Sequence, residues 1–113
     1  MKGTNLGEFQ ELVLLTIGTL YPNAYGVGIK DEIRETTSRK VTLSTVHAAL
    51  NRLEKKGLIT SSFGEATKIR GGKRKRFFTI TAYGLKTLQE TRQQREQLWN
   101  AIPEQVFNVN WQV

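Results

Sequence analysis

Apolar residues recur every three or four positions in two segments near the start of the chain, a pattern typical of amphipathic helices. In residues 6–21 the apolar stripe consists of Leu6, Phe9, Val13, Ile17 and Leu20. Leu14 and Leu15 lie off that stripe, and a helix that is apolar on two sides is buried on two sides. We therefore predict that the second side meets another subunit. Residues 25–37 predict a shorter helix around Ile29 and Ile33.

Residues 43–58 predict a helix with a clear beginning and end, which we call the recognition helix. Thr42 suits its N-cap, because the hydroxyl can accept a hydrogen bond from an unpaired backbone N–H, and Gly57 suits a left-handed C-cap. The apolar stripe consists of Leu43, Val46, Leu50 and Leu53. The opposite face is small and polar at first and basic at its end. Such a face suits the DNA major groove, where small polar groups reach base edges and cations meet phosphates.

After residue 58 the helical spacing gives way to the pattern of strands. Residues 58–63 and 77–81 predict two strands, and Gly71 and Gly72 suit the turn of a hairpin between them. A brief strand is also predicted over residues 40–42. Two helices joined by a short link, the second with a polar outer face, and then a hairpin are the order of a winged helix-turn-helix.

A fourth helix is predicted over residues 82–102, capped by Thr81 and ended by Pro103. Arg92 and Arg95 interrupt its heptad-like apolar seam, which indicates a helix packed partly against a partner and partly in water. The tail, residues 104–113, holds five apolar residues and is expected to dock on the domain or on another subunit.

The fold class predicted is therefore mainly α with a small β-hairpin (α+β), a winged helix-turn-helix that is dimeric through its first and fourth helices. Residues 1–81 are expected to form the DNA-binding domain. Residues 82–113 are expected to form a dimerisation helix and tail within the same compact unit.

The composition indicates an anionic partner. The 113 residues include 17 Lys and Arg against 10 Asp and Glu, a net charge of +7. Six of these cations lie within residues 68–76, and like charges so close need counterions such as DNA phosphates. The expected partner is double-stranded DNA. The chain has no cysteine and no apolar run near the roughly 20 residues of a membrane span, so we expect a cytoplasmic protein without membrane contact.

Two groups of residues are predicted to contact DNA. On the recognition helix they are Thr42, Ser44, Thr45, His47, Ala48, Asn51, Arg52 and Lys55. In the hairpin, which we call the wing, they are Lys68, Arg70, Lys73, Arg74, Lys75 and Arg76. Asparagine can pair bidentately with adenine and alanine can contact a thymine methyl. Arg52 and Lys55 are better suited to phosphate, although Arg52 could instead pair with an acid within the fold.

The residues predicted to form the dimer contact are Leu6, Phe9, Leu14, Leu15, Leu88, Leu98, Trp99 and Ile102. For Trp99 and Trp111 two interpretations stay open: plain packing, or a pocket between subunits for a small flat aromatic effector. His47 is the only histidine, and one histidine without cysteines or a carboxylate cluster makes no metal site. No metal or cofactor is expected. The sequence has no catalytic signature or phosphate loop, so an enzyme is not expected.

Four segments together resemble the PadR family of winged-helix transcriptional regulators. They are GEFQELVLL (7–15), AYGVGIKDEI (24–33), TLSTVHAALNRLEKKGLI (42–59) and RKRFFTITAYG (74–84). The resemblance implies a homodimeric repressor whose first and last helices build the dimer, of the type with a short last helix. Some members respond to phenolic or other flat apolar compounds. This chain has His47 where a tyrosine is usual and Ser44 where glycine is common, so no operator sequence is carried over.

The leading hypothesis is a sequence-specific transcriptional regulator, a homodimeric repressor on a palindromic operator that a flat aromatic effector could release. The alternative is a winged-helix module whose main partner is protein, which would bind DNA only without sequence preference. RNA binding also fits the charge, but the sequence shows no aromatic platform on which bases could stack.

Overall fold

The structure is a computed structural model and describes residues 6–64 and 74–108. Its elements in chain order are α1 (Glu8–Leu20), α2 (Gly26–Thr37), α3 (Leu43–Lys55), β1 (Ile59–Phe63), β2 (Arg76–Ile80), α4 (Ala82–Asn100) and α5 (Glu104–Phe107). The predicted fold class is confirmed in its mainly helical content and its two-stranded antiparallel hairpin.

The apolar stripes of α1, α2 and α3 converge on one core beneath the hairpin. The core side chains are Val13, Leu14, Ile17, Ala24, Ile29, Ile33, Val46, Ala49, Leu50, Leu53, Leu58, Ile59, Phe78 and Leu88. Leu14 is fully buried among them, so the prediction that it lies at a dimer contact is wrong. Its position off the stripe reflects the width of the buried face of α1, which packs on α2 and α3 together.

Both predicted caps of α3, the recognition helix, are confirmed. The Thr42 hydroxyl accepts a hydrogen bond from the Thr45 backbone N–H at 3.1 Å. At the other end Gly57 has a φ of +80°, which glycine adopts without steric cost. The Leu58 N–H then donates to the Leu53 carbonyl at 3.0 Å. This turn buries the Leu58 side chain and directs the chain into β1.

The hairpin pairs Ile59 with Ile80 at its base and Phe63 with Arg76 at the last described pair. The strand predicted over residues 40–42 is absent, because these residues lead directly into the N-cap of α3. The outer edge of β2 is instead covered by the link between α1 and α2. There the Phe78 N–H donates to the Ala24 carbonyl at 2.8 Å, and Tyr25 forms a bridge with Phe77.

Helix α4 begins at the predicted cap, where the Thr81 hydroxyl accepts from the Gly84 N–H at 2.9 Å. Its residues 92–100 are all exposed, and Arg95 Nη2 donates to Glu11 Oε1 of α1 at 3.2 Å. The tail turns back at α5, and the Phe107 ring lies edge-on to Trp99 at 5.5 Å between centroids. No helix within residues 6–64 and 74–108 has the length and apolarity to span a membrane.

Candidate nucleic-acid interface

The predicted DNA-contacting residues of α3 share one exposed face, opposite the core stripe. Thr42, Ser44, Thr45, His47, Ala48, Asn51, Arg52 and Lys55 are all exposed. The helix is anchored from below by fully buried Leu50 and Leu53. Packing on one side and solvent on the other fix which side chains the helix can present to a partner.

The start of this face carries a cluster of three hydroxyls. The Thr42 oxygen lies 3.2 Å from the Ser44 hydroxyl and 2.8 Å from the Thr45 hydroxyl. Because Thr42 also caps the helix, its oxygen is largely occupied. Ser44 and Thr45 keep exposed hydroxyls that can still donate to or accept from a ligand.

His47 lies on the flank of the face and leans onto the first turn of α2. A Cβ atom at Gly26 would come within 3.1 Å of the His47 Cε1 atom and 3.2 Å of Nε2. The glycine therefore leaves room for the imidazole. His47 is exposed at the same time, so it links the two helices and still faces solvent.

The last turn of α3 carries the cations Arg52 and Lys55, both exposed. Neither forms an ion pair with a carboxylate within residues 6–64 and 74–108. Glu54 lies between them in sequence and is paired with Arg76 instead. Arg52 and Lys55 are thus available for phosphate.

Half of the predicted wing residues, Lys68, Arg70 and Lys73, lie outside the described residues. The other three lie at the opposite end of the hairpin from Ile59 and Ile80. Arg74 Nε donates to the Gly64 carbonyl at 2.9 Å, and the Lys75 ammonium lies 4.2 Å from the centroid of the Tyr25 ring. Arg76 pairs with Glu54 at 2.8 Å. All three cations are exposed, and Arg76 is held directly against the recognition helix.

Sequence reasoning did not identify Glu54 and Ser61 as parts of this surface. Glu54 lies at the end of α3, Ser61 in β1 and Arg76 in β2, and their side chains hydrogen bond to one another. The pair Glu54 and Arg76 is 22 residues apart, so no helical or strand spacing links them. The signal available in the sequence was an acid placed within an otherwise basic surface.

A second feature, away from α3, is an apolar groove of about 580 Å³ between α1 and α4. Its apolar lining is Leu15, Leu85, Leu88 and Trp99, and Glu11, Gln89, Arg92, Arg95 and Glu96 complete it. Leu15 is 47% exposed and Trp99 is 62% exposed, whereas Leu88 is almost buried. Of the other predicted dimer residues, Leu98 is exposed, and Leu6, Phe9 and Ile102 are half-buried. Trp111 lies outside the described residues.

Comparison with known families identifies the family of the chain. Residues 13–90, from α1 to the middle of α4, match the model of the transcriptional regulator PadR-like family. The chain belongs to the PadR-like family. The matched segment contains the whole recognition helix, both strands of the wing and the capped start of α4, so the family assignment covers the candidate interface itself.

Individual PadR-like and related proteins show the same fold. A PadR family transcription regulator from Clostridium difficile has a TM-score of 0.70, with 24% identity over 83% of this chain and 93% of that one. A transcriptional regulator from Clostridium thermocellum has a TM-score of 0.65, with 28% identity over 79% and 83% of the two chains. In sequence, a protein of Lysinibacillus sphaericus without an assigned function is 35% identical over 74% of each chain.

Membership in the PadR-like family assigns the chain to DNA-binding transcription regulators with a winged-helix fold. The family consists of regulators rather than enzymes. Among the residues that the structure describes, no three His, Asp or Glu side chains form a cluster that could hold a metal ion.

Proposed function

We propose that this PadR-like chain is a sequence-specific repressor that acts as a homodimer on a palindromic operator. The observation that carries the proposal is the outer face of α3, which is exposed, small and polar in its first half and cationic in its last turn. A helix of this kind fits the major groove, about 12 Å wide, and reaches base edges there. The wing cations beside it would hold the flanking backbone.

The proposed partner of the α1–α4 groove is a second copy of the chain. Leu15, Leu98 and Trp99 are large apolar side chains that stay exposed on these two helices. The last nine residues of α4 are all exposed, so a second copy could cover them. We propose that residues 1–81 read DNA and that residues 82–113, together with α1, form the dimer. Two-fold symmetry then requires an inverted repeat with half-sites about one DNA turn apart.

Replacing Asn51 by alanine should lower affinity for the operator and hardly change affinity for unrelated DNA. A good base contact is worth on the order of 1–3 kcal/mol at its own site, whereas nonspecific binding rests on phosphates. The measurement is fluorescence anisotropy with two labelled duplexes, one selected from a random pool and one of unrelated sequence. Lys55→Ala, four residues later on the same face, is the matched control. It should weaken binding to both duplexes alike, and an equal loss from Asn51→Ala would show that Asn51 does not read bases.

Replacing Lys73 and Arg74 together by alanine should weaken binding to every duplex. Each neutralised phosphate contributes about −0.9 to the slope of log K against log salt concentration. Because each of the two subunits loses two phosphate contacts, the double variant is expected to flatten that slope by about 3.6. Titrations at several salt concentrations measure it, and a loss confined to the selected duplex would contradict a phosphate role for these two residues.

We also propose that a flat aromatic compound releases the repressor by binding between the two subunits, beside Trp99. The ring lines the groove with Leu15 and Leu88, and planar ligands stack well on exposed indoles. A binding compound should quench tryptophan fluorescence and lower operator affinity, and Trp99→Leu should remove both effects. No quenching with a broad panel of planar aromatics would count against an effector.

A further inference from the structure

Glu54, Ser61 and Arg76 form a closed polar network where the recognition helix meets the wing. We propose that this network sets the position of the wing relative to α3, and that Arg76 acts through it rather than as a phosphate contact. Arg76 Nη2 lies 2.8 Å from Glu54 Oε1, and Arg76 Nε donates to the Ser61 hydroxyl at 3.1 Å. Ser61 donates in turn to Glu54 Oε2 at 2.9 Å. The inference rests on the proposed DNA-binding function.

The hydrogen bonds of the network restrict both the Glu54 carboxylate and the Arg76 guanidinium. Glu54 accepts a hydrogen bond on each carboxylate oxygen. The Arg76 guanidinium also lies 5.3 Å from the Phe78 ring centroid, so its plane is held by an aromatic face as well as by two hydrogen bonds. A cation already paired with a carboxylate gains less from a phosphate, because binding DNA would break the existing pair.

Arg74 provides the contrast within the same wing. Its Nε donates to the Gly64 carbonyl, and no carboxylate among the described residues pairs with it. Two arginines two residues apart therefore differ in charge compensation. Arg74 keeps its charge for phosphate, whereas Glu54 compensates the charge of Arg76.

The network supports the hairpin away from its base. Ile59 and Phe78 anchor the hairpin in the core, and the bridge of Tyr25 to Phe77 holds the outer edge of β2. Glu54 belongs to the last turn of α3, Ser61 to β1 and Arg76 to β2. The network thus ties both strands to the recognition helix. A wing held in this position meets DNA phosphates only when α3 lies in its preferred register on the bases. This requirement favours the operator over other DNA.

The test compares the same substitution at the two arginines. Arg74→Gln should remove one phosphate contact from each subunit and flatten the salt slope by about 1.8 on a selected and on an unrelated duplex. Arg76→Gln should leave the slope on the unrelated duplex unchanged, and reduce the preference for the selected duplex about tenfold. If Arg76→Gln flattens the slope as Arg74→Gln does, Arg76 is a phosphate contact and the inference is wrong.

Glu54→Gln should change the salt slope in the opposite direction. It releases Arg76 in both subunits, so binding to the unrelated duplex should tighten and its salt slope should steepen by about 1.8, while sequence preference falls. In an Arg76→Gln background the same change should leave the slope as it is. A destabilised fold would not steepen a salt slope, and an unchanged slope in Glu54→Gln would overturn the proposal.

A measurement without DNA separates this inference from the proposed function. Amide hydrogen exchange of β2, including the Phe78 N–H, should be faster in Arg76→Gln and in Ser61→Ala, a substitution that changes no charge. It should not be faster in Arg74→Gln. Equal exchange in all three would overturn the network whatever the DNA result. A wild-type chain that prefers no DNA sequence would refute the repressor, while the exchange data would still decide whether the network holds the wing.

Discussion

Replacing Leu15 by arginine is expected to lower affinity for the operator about a thousandfold, which is about 4 kcal/mol. Leu15 is 47% exposed in the α1–α4 groove, where Arg92 and Arg95 already pair with Glu96 and Glu11. A second copy would bury the added cation with no carboxylate of the groove left to pair with it. A lone copy can place one recognition helix and one wing on DNA, so it loses half of the contacts to a two-fold site.

The sign of the added charge makes this result easy to interpret. An extra cation should by itself strengthen attraction to DNA, so a loss of affinity must come from lost pairing of subunits. Sedimentation velocity measures the association state, and anisotropy measures affinity for the selected duplex. Leu15→Met keeps the apolar volume and should leave both unchanged. A Leu15→Arg chain that stays dimeric and binds normally would place the dimer contact elsewhere.

Replacing Gly84 by alanine is expected to destabilise the fold by about 3–4 kcal/mol. A Cβ atom there would lie 2.1 Å from the Leu58 carbonyl oxygen and 2.9 Å from Ile80 Cγ2. The obstacle is backbone at the point where α3 passes into β1, so no side chain can turn aside. Either α4 moves off the hairpin or the turn after Gly57 deforms.

Urea unfolding followed by circular dichroism measures this loss as a fall of about 2 M in the midpoint. Gly18→Ala is the matched control, because a Cβ atom at Gly18 would meet only the Ile80 Cδ1 methyl at 3.3 Å. That methyl can move, and alanine favours the helix over glycine by about 1 kcal/mol. Stability within about 1 kcal/mol of wild type is expected there. A Gly84→Ala chain as stable as Gly18→Ala would contradict the close approach of α4 to Leu58.

The parts of the fold that the sequence predicted well are those decided by local chemistry. Thr42 and Thr81 cap helices through hydroxyls that bond to backbone N–H groups three residues ahead. Gly57 stops α3 because its position needs a positive φ. Each of these depends on a few neighbouring residues, so the pattern could be found without knowing the rest of the fold.

The errors concern contacts between distant segments. The strand predicted over residues 40–42 is a helix link, and the segment that actually borders β2 is Ala24 and Tyr25. Its position off the main stripe predicts a subunit contact for Leu14, yet this side chain is fully buried within the chain itself. Helical spacing tells which residues share a face, but it does not tell how many neighbours cover that face.

The same difference between local and distant contacts applies to the candidate interface. The exposed face of α3 followed from spacing, because its polar residues lie opposite a stripe that had to be buried. The pairing of Glu54 with Arg76 did not, since two side chains 22 positions apart meet only after the hairpin has folded beside the helix. The charge of Arg76 is evident from the sequence, but its ion pair with Glu54 is not.

The central claim is that two copies of this chain read one duplex through their recognition helices. Selection of bound DNA from a random pool at physiological salt, followed by sequencing, tests it most directly. The account predicts enrichment of an inverted repeat whose half-site centres lie about 10 base pairs apart. A bound pool with the composition of the input, or a single unrepeated motif bound by one copy, would contradict it.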